Sequence, residues 1–266
     1  MNILETIIEE KKSEVRSKKL EVKISDLEKS DFFDRETLSL KKSLLDETRT
    51  GIIAEFKRRS PSKGIINGNA DVVEITSAYT KNGASALSVL TDEKFFGGSS
   101  DDLIKARVNE ISILRKDFVI DEYQIMEARS IGADAILLIA ACLSAQQVKT
   151  LAKFAKSLQL EVLLELHAEE ELEHICEETE IVGINNRDLK TFAVDIERSL
   201  KMAEKIPADK IKVAESGISS VENILLFKQN GFDGFLIGEN FMKAENPAIA
   251  FASFVNKLKD HSSSGE

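Results

Sequence analysis

The sequence predicts an α/β fold, a closed (β/α)8 TIM barrel with an N-terminal helical extension, and three observations carry that expectation. Eight short runs rich in Ile, Val and Leu recur with starts 21 to 35 residues apart, room each time for a loop and a crossover helix. The runs are apolar on both faces and alternate with helix-patterned segments, as an all-parallel sheet requires. No GxGxxG or GxxxxGK[ST] loop is present to favour an open nucleotide-binding sheet instead.

The elements follow in order. Residues 1–50 precede the first run; Ile3, Leu4, Ile7, Ile8 and Val15 share one helical stripe, and 36-ETLSLKKSLL supplies a second helix. This extension is expected to pack on the barrel, the alternative being a helix held for another partner. The barrel is assigned to 51–258, with strands 51-GIIAEF, 86-ALSVL, 111-ISILR, 134-DAILLI, 160-LEVLLEL, 181-IVGIN, 211-IKVA and 234-GFLIG. Helical spacing marks 73–79, 123–130, 145–158 and 169–177, and the segment 221–230 stops at Gly231, placed as a C-cap. One helix follows strand eight, and 259–266 is a polar, frayed tail, so 1–266 reads as a single barrel domain.

Composition narrows the function. Lys and Arg number 36 against 46 Asp and Glu, a formal charge of −10 that argues against nucleic acid and anionic membranes as partners. A pocket sets its own local field, so a small anionic ligand stays open. Cys142 and Cys176 form no CxxC pair, which suits a reducing cytoplasm. Three histidines leave little room for a His-rich metal site, and neither metal nor cofactor is expected. The start, MNILETIIEEKKSEVRSKK, lacks a basic segment followed by an apolar core, and the longest apolar run, 135–143, is too short to span a bilayer. A soluble cytoplasmic protein is expected.

In a (β/α)8 barrel the chemistry sits at the carboxyl ends of the strands. Strand one ends 54-AEFKRRSPSKG, where Glu55 and Lys57 are two apart and share a face. If Ile53 points to the axis, both charges enter the mouth. Lys116 is in phase with Leu114 and Glu165 with Leu163; strand six offers Asn185 and Arg187, and strand seven offers Glu215. Each charge alone is usually a solvated loop residue. Two Lys and three Glu converging on one partly dry mouth need pairing or use, and they supply acids and bases without His, Cys or metal.

The last two loops add an anion site. Gly217, with Ser216, and Gly238, beside Glu239, bring backbone N–H groups near helix starts, the usual phosphate site of such barrels. The Glu239 side chain is expected to point away. The segment 58-RRSPSKGIINGNAD suits a lid, with Ser60, Lys63 and the arginines attracting an anion.

Together 54-AEFKRRSPSKG, 88-SVLTDEKFFGGS, 114-LRKDFVIDEYQI, 163-LLELH, 183-GINNRDLKTF, 214-AESGI and 236-LIGENFM resemble the indole-3-glycerol-phosphate synthase family, cofactor-free lyases of tryptophan biosynthesis. The likeness covers essentially the whole chain, and the first and third segments are the most specific. It implies a phosphosugar substrate, 1-(2-carboxyphenylamino)-1-deoxyribulose 5-phosphate, closed to indole-3-glycerol phosphate with loss of CO₂ and water. By the same likeness Lys116 is the general acid on the carbonyl and Glu165 the base for dehydration. Lys57 holds the aromatic carboxylate beside Glu55; Asn185 and Glu215 line the pocket; Ser60 and Arg187 support the substrate. Ser216, Gly217, Gly238 and the Glu239 backbone hold phosphate, and Phe118 with Phe95 or Phe96 packs on the aromatic ring. The division of roles between Lys57 and Lys116, and between Glu55 and Glu165, stays open. So do a phosphosugar isomerase, such as phosphoribosylanthranilate isomerase, and a non-catalytic phosphate-binding barrel. A monomer carrying one activity is expected.

Overall fold

A computed structural model describes residues 3–188 and 191–263. Leu189 and Lys190 of the 183-GINNRDLKTF segment, and the last three residues of the tail, lie outside that range. Eight parallel strands close into a barrel: β1 (Ile52–Phe56), β2 (Ala86–Leu90), β3 (Ile113–Lys116), β4 (Ala135–Ile139), β5 (Glu161–Leu166), β6 (Ile181–Asn185), β7 (Ile211–Glu215) and β8 (Gly234–Ile237). Each pairs with its sequence neighbours, and β8 closes on β1 through Ile52–Phe235 and Ala54–Ile237. Every predicted strand is present, within two residues at each end.

The apolar residues divide into two layers because the strands are apolar on both faces. Ile53, Leu114, Leu163, Ile181, Val213 and Leu236 fill the interior, and Val89, Ile136, Leu164, Val182 and Phe235 pack outward against the helices. Leu40 and Leu44, from the short helix Leu40–Leu45, belong to the interior layer and seal the amino end of the barrel. A Cβ on Gly234, the first residue of β8, would stand 3.2 Å from the Leu44 side chain.

The helices differ from expectation in three places. The β5–β6 interval is the shortest in the series, and in place of an α-helix over 169–177 it holds a 3₁₀ segment, Glu169–His174. Helices Glu93–Phe96, Ser100–Ala106 and Ile196–Ala203 are not among those expected from the sequence. The first two are short, while the third is strongly amphipathic and legible; the caps Asp92, Ser99 and Asp195, each accepting a backbone N–H, mark all three. The last helix, Pro247–Ser263, runs into the segment assigned to the tail, so the polar composition there does not end the helix.

The extension packs on the barrel, as expected. Helix Ile3–Glu21 buries Ile7, Lys11 and Val15. The Lys11 ammonium, 1 % exposed, meets Glu14 at 2.7 Å, Asp117 at 2.9 Å and Asp92 at 3.0 Å. Asp92 caps the helix carrying Phe96, and Asp117 lies between Lys116 and Phe118, so the extension is fastened to two loops of the barrel mouth.

Candidate active site

Period-two alternation carries the interior residues upward into the mouth. Ile53 does face the interior, and Glu55 and Lys57 above it line a cavity of about 260 Å³ at the carboxyl ends of the strands. The same cavity receives Ser60, Phe96, Lys116, Phe118, Glu165, Asn185, Arg187, Glu215, Ser216, Gly217, Gly238 and Glu239. The candidate catalytic residues and the loop residues Ser60, Arg187, Ser216, Gly217, Gly238 and Glu239 are therefore gathered in one place, while Arg58, Arg59 and Lys63 do not line it. Phe96 faces the cavity, 6.0 Å from Phe118 between ring centres, while Phe95 does not line it.

Lys116 is the hub. Its Nζ lies 2.8 Å from Glu165 Oε2 and 3.4 Å from Glu215 Oε2. Burial alone would lower the ammonium pKa, but the charges of Glu165, Glu215 and Glu55 outweigh it and hold it above the ordinary lysine value. Burial raises both partner carboxyls, with opposite net results. Lys116 and His167 overcome it at Glu165, which is held well below the usual carboxylate range. At Glu215 burial wins over Lys116, helped by the charges of Glu165 and Glu55, and the carboxyl is pushed up to about 8. The two carboxyls titrate as a coupled pair beside the ammonium, with the anion favoured at Glu165 and the acid at Glu215.

Lys57 donates to Glu55 at 2.6 Å, and Asn185 Nδ2 donates to Glu165 Oε1 at 3.0 Å. Two glycines give the carboxylates room. A Cβ on Gly183 would stand 2.2 Å from Glu215 Oε1, and one on Gly238 would stand 2.5 Å from Glu55 Oε1. Ser216 (φ 67°) and Gly217 (φ 71°) are both left-handed, a strained pair for which only the glycine is naturally suited. Buried Asn186 braces the turn by donating from Nδ2 to the Ser216 carbonyl at 2.7 Å.

Two expectations about the loops are corrected. The Glu239 side chain does not point away: it lines the cavity, 3.2 Å from Arg187 and 3.8 Å from Lys63. Nor does Arg58 serve the mouth, because Asp102 takes its guanidinium at 2.6 and 2.9 Å. The 58–70 segment is partly ordered by a small ladder in which Arg59 pairs with Ile65 and Ser60 with Gly64. A surplus of positive charge is also missing: among the described residues, four basic and five acidic side chains line the cavity. Backbone N–H groups and the displacement of paired carboxylates must carry more of the attraction for an anion.

Sequence reasoning missed several lining residues. His167 is two past Glu165 on β5, so the period that found Glu165 also points to it. Leu137 and Ile139 follow the same rule on β4, whereas Ile3, Leu4 and Ile7 arrive from the extension with no local signal of their destination. Cys142 does not line this cavity; burial and the charges of Glu165 and Glu171 push its thiol far up.

A closed parallel barrel whose mouth joins a lysine–carboxylate trio to a glycine-turn anion loop defines a (β/α)8 enzyme of acid–base chemistry on an anionic substrate. The family model described as Indole-3-glycerol phosphate synthase matches residues 4–254, and the chain belongs to that family. It is 47% identical over 259 residues to an indole-3-glycerol phosphate synthase of Bacteroides thetaiotaomicron, covering 97% of this chain and 99% of the relative. A counterpart in Caldanaerobacter subterraneus is 44% identical over 266 residues, with the same coverage of both chains. A solved chain from the tryptophan synthase a2b2 complex of Pyrococcus furiosus shares the fold alone, at TM-score 0.59 and 15% identity over 80% of this chain and 99% of that one.

Proposed function

We propose that the chain is an indole-3-glycerol phosphate synthase, closing 1-(2-carboxyphenylamino)-1-deoxyribulose 5-phosphate to indole-3-glycerol phosphate, CO₂ and water. Family membership supports the reaction. The single observation that carries the mechanism is Lys116 seated between the Glu165 and Glu215 carboxyl groups, 2.8 and 3.4 Å from its Nζ.

The ring carbon bearing the carboxylate attacks the sugar carbonyl while Lys116 delivers a proton to the carbonyl oxygen. Attack leaves an iminium on the ring, an internal electron sink into which the C–CO₂ bonding pair collapses as CO₂ departs. Dehydration then breaks the C–OH bond, the hydroxyl leaving as water as it takes a proton from an acid, while Glu165 removes the opposing proton. Lys57, steered by Glu55, pairs with the substrate carboxylate, and Asn185 orients Glu165. The left-handed Ser216–Gly217 turn and the Gly238–Glu239 backbone hold the phosphate with Ser60 and Arg187, while Phe96 and Phe118 flank the aromatic ring.

The isomerase alternative favours a carboxylate or cysteine acid–base pair, and the absence of Cys142 from the mouth cavity weighs against its cysteine form. Two unpaired cysteines suit the cytoplasm, and one barrel domain acting as a monomer is the simplest assembly. Indole absorbance and fluorescence on the anthranilate-derived substrate provide the test, with low background because the chain contains no Trp. A rise in indole signal is expected; tight binding without it refutes the lyase.

A further inference from the structure

His167 is buried, lines the cavity, and has no part in the mechanism above. Its Nε2 lies 3.0 Å from Glu165 Oε1, yet off the line a ring N–H needs, so neither ring nitrogen has a hydrogen-bond partner. Its backbone is fixed, because the His167 N–H donates to Glu171 Oε2 at 2.6 Å. The separation is already that of a hydrogen bond, and only alignment is missing. Such bonds often align only when substrate is bound.

The remaining contacts of Glu165 define what the imidazole adds. Lys116 takes Oε2, Asn185 takes Oε1, and the His167 ring lies against Oε1 as well. A bare ring nitrogen against a carboxylate oxygen is repulsive, so the proton of a neutral ring belongs on Nε2. The ionisable groups placed with the ring are Glu165, two residues before it, Glu171 in the following 3₁₀ segment, and Lys116 and Glu215, which line the same cavity.

We propose, resting on the lyase reading of the mouth, that His167 is a positioning residue: its Nε2–H engages Glu165 Oε1 during turnover and fixes the plane of the carboxylate against Lys116. The side chain touches no reacting atom and acts through Glu165. With His167 in place Oε1 carries a second donor beside Asn185, and three groups instead of two hold the plane of the carboxylate. Without it, Lys116 and Asn185 alone hold Glu165, its plane is less tightly set and its anion is less favoured.

Two measurements test this. Imidazole ¹⁵N NMR of the free protein is tractable because the chain has three histidines. The ring of His167 should carry its proton on Nε2, and its signal should move in Glu165→Gln. A proton on Nδ1, or indifference to Glu165→Gln, overturns the proposal whether or not the protein is a lyase. In steady-state kinetics His167→Ala should lower kcat about tenfold with KM within about twofold, the size expected for one hydrogen bond to a charged group. The acid limb of the kcat profile should move to higher pH, because Glu165 loses a donor that favours its anion. His167→Gln, which restores a neutral donor, should recover most of kcat. An unchanged kcat and acid limb in His167→Ala overturns the proposal, as does a loss of activity that follows a lowered Tm and is not rescued by Gln. An inert wild type would instead refute the lyase reading and leave the decision to the NMR.

Discussion

Glu239 reaches across the mouth to Arg187, Oε2 to Nη2 at 3.2 Å, and so joins the loop after β8 to the loop after β6 in an ion pair between residues 52 apart in sequence. The carboxylate occupies a cation that a substrate phosphate would otherwise claim.

Glu239→Ser should free Arg187 and relieve local repulsion of the phosphate. KM is expected to fall by about threefold to tenfold, with stronger competitive inhibition by inorganic phosphate, as removal of one partly exposed like charge permits. A raised KM would mean that the side chain itself helps to hold the substrate.

Lys116→Ala should abolish turnover while substrate still binds. Glu165→Gln should cost about 10²- to 10⁴-fold in kcat, the range for a positioned acid or base. Single-turnover kinetics paired with binding by fluorescence would separate the two effects. Near-normal turnover in the Lys116 variant would remove it from the acid role.

Glu215 should leave a signature in stability. Its folded pKa is raised from 4.5 to about 8, so its contribution is fully present below pH 4.5 and is lost as pH rises through 8. Glu215→Gln stays neutral throughout. The variant should therefore melt higher than wild type at about pH 8.5, by on the order of 5 °C, with the gap shrinking toward about pH 5. Parallel Tm–pH curves would show that Glu215 carries no raised pKa.

Lys11→Met should be costly despite its position in a surface helix. Removing the ammonium leaves Asp92 and Asp117, both about 2% exposed, without their shared cation. A loss of about 3–5 kcal/mol is expected, as for other buried pairs broken on one side. Urea unfolding would measure it, and a loss under about 1 kcal/mol would mean that water or neighbouring groups replace the cation.

The barrel was legible because its signal is local. Ile53–Glu55–Lys57 and Leu163–Glu165 reveal by period two which charges rise above the interior layer, and that phase held on β1, β3, β5 and β7. The partners of those charges were not legible. Arg187 meets Glu239, and Lys11 meets Asp92 and Asp117, only after closure of the fold has brought distant loops together. Lys11 lies in a run of charges that reads as a solvated face, yet it is buried at the point where the helix crosses two loops. His167 was legible in principle, since it continues the β5 alternation by one step.

The seal made by Leu40 and Leu44 has a consequence for traffic. With the amino end stoppered, the barrel is a vessel with one doorway, and whatever enters above the interior layer must leave by the same route. Gas, water and phosphorylated product would all depart past the loops that admitted the substrate. Turnover is then a queue: the bulky product must clear the doorway before the next substrate can dock.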